Sequence, residues 1–335
     1  MISASKWCIV LPPYGAARII AQKASDALLA KVGNNSLKCF DTLTYYDAFT
    51  KLLRTPDENI AIDLLNQTLA VACLDFGTTH LLTGALSPVT LFTCNLLRKQ
   101  GICTIHWFYE DYRRAVYWKD ILGGYDHFCA IQKGPLPSQC EINGCRYHFL
   151  PTAASSSPSE SKIHDQPIIY NVAFIGIPSP YRIHILERLH REGYTLAIAG
   201  SGWDKYHGPL ESSIICKAWT DDILMQSILS KSSIGINLSV DNPLEREDVH
   251  ISPRVYDILI NETALLSEDI PLLYSALPGC SFTTFKNADD ACLQVKNILS
   301  EPEAIQITNS SLNRMQILKN HTYASRIDEL FSFIQ

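Results

Sequence analysis

Short apolar runs alternating with amphipathic helical patterns, repeated along 335 residues, constrain this chain more than any other feature. A run of about five apolar residues that ends in a polar or Gly/Pro-rich loop and leads into a helix builds a parallel sheet covered by helices. Trp7–Leu11 ends in Pro12-Pro13-Tyr14-Gly15 and precedes a helical pattern from Ala16 to Val32. Leu69–Asp75 reads as the next strand, ending in the polar loop Phe76–Thr83, with a helix over Ser87–Lys99. Ile102–Trp107, Asp126–Gln132 and Arg146–Leu150 complete the set. Ligands of such sheets sit beyond the carboxyl ends of the strands. The loops Pro12–Gly15, Phe76–Gly84 and His106–Arg114 are therefore expected to share one rim.

Composition changes at Thr152–Pro167, TAASSSPSESKIHDQP, which is Ser/Pro-rich, polar and without period, as a linker should be. The alternation then restarts with strands at Ile168–Phe174, Thr195–Ala199, Ile214–Lys217, Ser233–Leu238, Thr263–Ser267 and Phe282–Phe285. The helices Ala288–Leu299 and Pro302–Asn320 follow. The expected organisation is an α/β chain of two parallel-sheet domains, 1–152 and 168–320, joined by a linker over 153–167, with rims facing each other.

At this length each domain can bury a core of its own. With 47% hydrophobic and 19% charged residues the chain reads as globular. A formal net charge of −6 excludes the basic footprint of a dedicated nucleic-acid binder. Eleven cysteines are spread evenly, with no C-x-x-C. An odd count behind an N-terminus that reads as a first strand points to reduced thiols in a cytoplasm. No apolar run approaches the roughly 20 residues that a transmembrane helix needs.

The sharpest chemical signal lies in His250–Asp269, HISPRVYDILINETALLSED. Ser252 can cap a helix through its hydroxyl, and Pro253 suits the first helical position. Val255, Ile258 and Leu259 fall at i, i+3 and i+4 and make an apolar face for a sheet. Arg254 sits in the first turn, where a cation opposes the partial positive charge of the helix N-terminus. A bound diphosphate would reconcile the two by using the orphan N–H groups and the guanidinium together. Asp257, one turn on, is placed to accept hydrogen bonds from a sugar diol. The bland alternative is an Arg–Asp surface pair worth a few tenths of a kcal/mol. Arg182 holds the same misplaced position after the strand that ends at Gly176, a residue whose missing side chain lets backbone amides approach phosphate. Two such arginines in one domain point to a shared anionic ligand. Gly200-Ser201-Gly202-Trp203 is too short for a dinucleotide fingerprint. Trp219 is either a surface for a base or an ordinary half-buried aromatic.

In the first half, His106-Trp107-Phe108-Tyr109-Glu110-Asp111 places a histidine and two carboxylates at a strand end. His106, Glu110 and Asp111 are candidates for a general base that deprotonates a hydroxyl. The competing assignment has Asp111 capping a helix and Glu110 pairing with Arg113 or Arg114. His80 is a second rim candidate. No H-E-x-x-H, D-x-D or paired Cys/His spacing calls for a metal.

TIHWFYEDYRR (Thr104–Arg114), Tyr117-Trp118-Lys119-Asp120, Gly124-Tyr125-Asp126, Ile131-Gln132-Lys133 and Phe149-Leu150-Pro151 follow one another in the first half. Val172-Ala173-Phe174-Ile175-Gly176 with Arg182, Gly200-x-Gly202-Trp203, Ile234-Gly235-Ile236-Asn237-Leu238, Arg254-Val255-Tyr256-Asp257 and His321-Thr322-Tyr323-x-x-Arg326 follow in the second. In this order they resemble the CgeB-like (spore-maturation-protein-like) glycosyltransferases. The resemblance covers nearly the whole chain. It implies two Rossmann-like domains facing a central cleft, the GT-B type. It implies a nucleotide-diphosphate sugar as co-substrate on the C-terminal domain; no separate cofactor and no metal are expected. The acceptor, a glycan, protein or small-molecule hydroxyl, would bind on the N-terminal domain near Tyr14, Gly15 and His80. Gly176, Arg182 and Arg254 would meet the diphosphate and Asp257 the ribose, with Gly200, Trp203, Trp219 and Asn237 around them. Residues 321–335 would form a helix crossing back onto the N-terminal domain. Asp257 stands where the family usually has Glu, and Asn261-Glu262 where it has a small residue and Gly. A sugar-nucleotide epimerase and a non-catalytic nucleotide-sugar-binding subunit are the rival readings.

Overall fold

Two six-stranded sheets, every strand pair parallel, organise the computed structural model, which describes residues 5–53, 57–155, 167–243 and 248–334. Of the expected linker, residues 156–166 lie outside the described residues. The chain divides into one unit of Met1–Thr152 with Tyr323–Gln335, and a second of Ala153–Thr322. All eleven cysteines are free thiols. Among the described residues no helix is long and apolar enough to cross a membrane.

The first unit contains β1 (Trp7–Leu11), β2 (Leu37–Asp41), β3 (His80–Gly84), β4 (Cys103–Phe108), β5 (His127–Ala130) and β6 (Arg146–Phe149). Their order, β2-β1-β3-β4-β5-β6, reverses direction between β1 and β3. Val10, Phe108 and Phe128 from the strands pack with Leu65, Leu69 and Cys73 from a covering helix in one buried cluster. The helix Tyr323–Phe333 belongs to this unit: Phe331 stacks on Trp7 at 4.9 Å and Phe333 on His148 at 4.5 Å.

One expectation fails here. Leu69–Asp75 is the end of a 19-residue helix, Glu58–Phe76, capped by Asp57 and closed by Gly77 in the left-handed region. A short apolar run has no period of its own, and the buried positions Ala61, Leu65, Leu69, Ala70 and Cys73 show the helical repeat only over the longer stretch. The error propagates to the rim. The loop Gly77–Thr79 enters β3 at its amino end, so the rim loop at that strand follows Gly84 instead.

The second unit contains β7 (Tyr170–Ile175), β8 (Leu196–Ala199), β9 (Ile214–Cys216), β10 (Ser232–Asn237), β11 (Ala264–Glu268) and β12 (Thr283–Phe285). Their order, β12-β11-β10-β7-β8-β9, places the reversal between β7 and β10. At such a switch point the helices leave on opposite faces and open a crevice beyond the strand ends.

Candidate functional site

In the second unit, the crevice at the switch point is built from Gly235 upward. A Cβ on this β10 glycine would lie 2.7 Å from Ile258 Cγ1, so only glycine lets the helix Pro253–Ile260 seat its apolar face this close to the sheet. Ser252 caps that helix by accepting from the Arg254 N–H. The seating sets Arg254, in the first turn, over the carboxyl ends of β7 and β10. Its guanidinium lies 5.3 Å from the centre of the Phe174 ring and donates to Asn237 Oδ1 at 3.4 Å. Asn237 is held in turn by donating to Ser267 Oγ at 2.9 Å. The guanidinium covers the Cα of Gly176, where a Cβ would be 2.7 Å from Nη2.

Arg254 therefore has an orienting amide and an aromatic face, and no salt bridge to a carboxylate among the described residues. Burial lowers its pKa to about 10, so it remains charged at neutral pH. A half-buried cation beside a helix N-terminus, with no carboxylate in salt-bridge contact among the described residues, suits an anion.

Several predicted donor contacts serve this crevice from behind. Arg182 is buried, and its guanidinium donates to the carbonyls of Ile177 (2.9 Å), Leu238 (2.8 Å) and Ser239 (3.1 Å). It ties the loops after β7 and β10 together, and its charge is engaged by backbone dipoles. Trp203 is buried and donates its indole N–H to the Gly176 carbonyl at 2.7 Å. Gly200, at φ +143°, passes so close that a Cβ would collide with the same carbonyl. Asp257 is buried and accepts the Ser155 N–H at 2.6 Å, a partner other than the expected diol. Glu262 takes φ +57°, a left-handed conformation at the place where the resembling family has glycine nearby. Trp219, 51% exposed just beyond β9, does present an open aromatic face. Glu268, the last residue of β11, lies within the stretch His250–Asp269 and is not marked by any local pattern. It is buried and accepts the Ser239 N–H and hydroxyl at 2.8 Å.

The first unit fills its own switch point. Tyr109, just past β4, donates its phenol to the Ala17 carbonyl at 2.9 Å, and a Cβ on Gly84 would collide with the same hydroxyl. Tyr14, 71% exposed, and Gly15 stand at the end of β1 beside this plug. Glu110 is half-buried and accepts no hydrogen bond from a described residue. Burial raises its carboxyl above the usual range, against the pull of Arg114. Asp111 is committed elsewhere: it accepts the Arg113 N–H and holds that guanidinium through both oxygens at 3.0 Å. His106 is a core residue, 1% exposed, packed among Tyr125 and Phe128 and hydrogen-bonded to Thr83 at 2.7 Å. Burial depresses its pKa to about 3, and its position inside β4 keeps it off the rim. His80 opens β3 at the amino end, opposite the rim, stacked on Trp7 at 4.6 Å.

Residues 182–332 match a family model described as glycosyl transferase-like. No curated protein matches the chain in sequence. Sucrose-phosphate synthase from Thermosynechococcus elongatus superposes with a TM-score of 0.64 at 11% identity, covering 99% of both chains. A glycosyltransferase from Rickettsia africae gives 0.65 at 10% identity, covering 99% of this chain and 98% of its own. The Anabaena protein HepE, solved in complex with UDP and glucose, gives 0.61 at 10% identity, covering 99% of this chain and 100% of its own. The chain has the fold of GT-B-type glycosyltransferases. Its two Rossmann-like units differ at their switch points: the matched segment sets Arg254 there, while Tyr109 fills the other.

Proposed function

We propose that this protein transfers a sugar from a nucleotide-diphosphate donor to a hydroxyl acceptor, without a metal ion, in the manner of the CgeB-like enzymes it resembles. Arg254 carries the reading, since it is charged, half-buried, without a salt bridge to a carboxylate among the described residues, and set at the switch point of the matched domain. The donor diphosphate sits against its guanidinium and the N–H groups of the helix Pro253–Ile260. There the guanidinium stabilises the charge that builds on the departing diphosphate. Arg182 acts one layer back, holding the two loops that shape the crevice. Trp219 offers its open face to the base. To Glu110 of the first unit, with its carboxyl pKa raised by burial, we assign the proton of the acceptor hydroxyl.

Calorimetric titration with a panel of nucleoside diphosphates tests the assignment. At least one should bind, and Arg254→Ala should weaken it by about 1.5–3 kcal/mol, the range of a charge-assisted contact. Failure of every nucleotide to bind, or equal affinity in the variant, would sink it. The engagement of Asp257 by Ser155 favours a second reading, a nucleotide-sugar-binding subunit without turnover. Release of free nucleotide only when acceptor is supplied separates transfer from silent binding, and also from epimerisation.

A further inference from the structure

Glu268 has no part in the chemistry above, yet it lies 1% exposed at the same strand ends. Both of its oxygens accept the Ser239 N–H at 2.8 Å, and Oε2 also accepts the Ser239 hydroxyl at 2.8 Å. Arg182 takes the Ser239 carbonyl at 3.1 Å, so the start of the loop after β10 is gripped from two sides. The titratable and charged groups facing Glu268 are Tyr181 and Arg182 from the helix Pro180–Arg191, and Arg254 from the helix Pro253–Ile260. Burial pushes the carboxyl up to about 7, while the Ser239 bonds and Arg182 restrain it from rising further. Its negative charge acts on Arg254 across the end of β10, where Asn237 already orients that guanidinium.

We propose that Glu268 is a proton-linked positioning residue, holding the β10 loop at the switch point and taking up one proton as the donor diphosphate settles beside Arg254. The inference rests on the diphosphate assignment made above. A cation withdrawn from solvent is stabilised by a negative charge close by. In the free protein Glu268 supplies part of it. When the diphosphate arrives, the added negative charge raises the carboxyl further and draws a proton from solvent onto it. The grip on Ser239 survives the change. One oxygen still accepts the N–H, and the protonated oxygen turns from acceptor to donor toward the serine hydroxyl.

The experiment is calorimetric titration of UDP-glucose, GDP-mannose and dTDP-glucose at pH 7 in buffers of different ionisation enthalpy. Their diphosphates are diesters with no group titrating near neutrality, so a proton change belongs to the protein. The expected result is uptake of up to about half a proton per bound nucleotide sugar, with affinity falling as the pH rises through and above about 7. Glu268→Gln should abolish both effects while binding persists. Ser239→Ala removes a bond that restrains the carboxyl and should move the falling limb to higher pH, which a purely structural role would not do. Buffer-independent heats in the wild type, unchanged uptake in Glu268→Gln, or an unmoved limb in Ser239→Ala overturns the inference and leaves the binding site standing. Absence of binding by all three probes removes the diphosphate assignment itself.

Discussion

Arg254 and Arg182 are alike in sequence and unlike in what their guanidinium groups touch. Arg182 spends its donors on three backbone carbonyls, whereas Arg254 keeps one amide contact and an aromatic face. The same contrast divides the candidate bases. Glu110 accepts no hydrogen bond from a described residue and has a carboxyl raised by burial, so Glu110→Gln should lower kcat by about 10²–10⁴-fold if it takes the acceptor proton. Steady-state kinetics decides, and a loss below tenfold would rule the role out. His106 should behave oppositely. Its folded pKa of about 3 lies below the unfolded value near 6.5, so its contribution to stability is complete above pH 6.5. That contribution is lost as the pH falls toward 3, at up to about 1.4 kcal/mol per pH unit. His106→Phe, which keeps the packing against Tyr125 and Phe128, should unfold at lower pH than the wild type. Circular dichroism through an acid titration measures the shift; an unchanged acid midpoint contradicts the buried neutral assignment.

The loop after β7 shows how an element can be shaped by residues that never meet a ligand. Its carbonyl at Gly176 accepts the Trp203 indole, its Cα lies under Arg254, and Gly200 passes behind it. Trp203→Phe would leave that carbonyl without its indole partner, and a buried unsatisfied group costs about 1–3 kcal/mol. Denaturant unfolding should register the loss. Nucleotide affinity should fall as well, because the crevice floor moves; a variant as stable as the wild type would show that the bond carries no weight. The helix Glu58–Phe76 teaches a related lesson about reading. Its last seven residues look like a strand when taken alone, and the Asp57 cap and the Gly77 stop define it as a helix only together. That single misreading put His80 on the wrong end of its strand.

At the scale of the whole molecule the chain uses one architecture twice with different outcomes. The second unit sets the Arg254 guanidinium at its switch point, and the first fills its own with the Tyr109 phenol. The first unit is also completed by sequence from the far end of the chain. Ile327, Leu330 and Phe331 of the final helix are buried in it, and Arg326 donates to the Thr152 carbonyl at 3.0 Å. Three buried apolar side chains at about 2 kcal/mol each approach the total stability of a domain. Truncation after Thr322 should therefore lower the melting temperature by roughly 10–20 °C. Calorimetry checks this, and a melting curve like that of the full chain would show the helix to be dispensable.

The sequence by itself determined the two α/β halves, most strand positions, the break near Thr152, and the place of Arg254 in the first turn of a helix. These depend on local period, turn chemistry and the conflict between a cation and a helix dipole, all of which are written within a few residues. The tertiary structure alone decided which groups are spent and which remain available. Arg182, Trp203, Asp111 and His106 carry suitable chemistry, yet each is satisfied by a partner or buried by neighbours that the local sequence does not reveal. Glu268 shows the converse, an unremarkable acid until folding sets it beside Ser239 and Arg254. Hydrogen-bond saturation and desolvation arise between segments distant in the chain, so they become visible only when the strands are assembled.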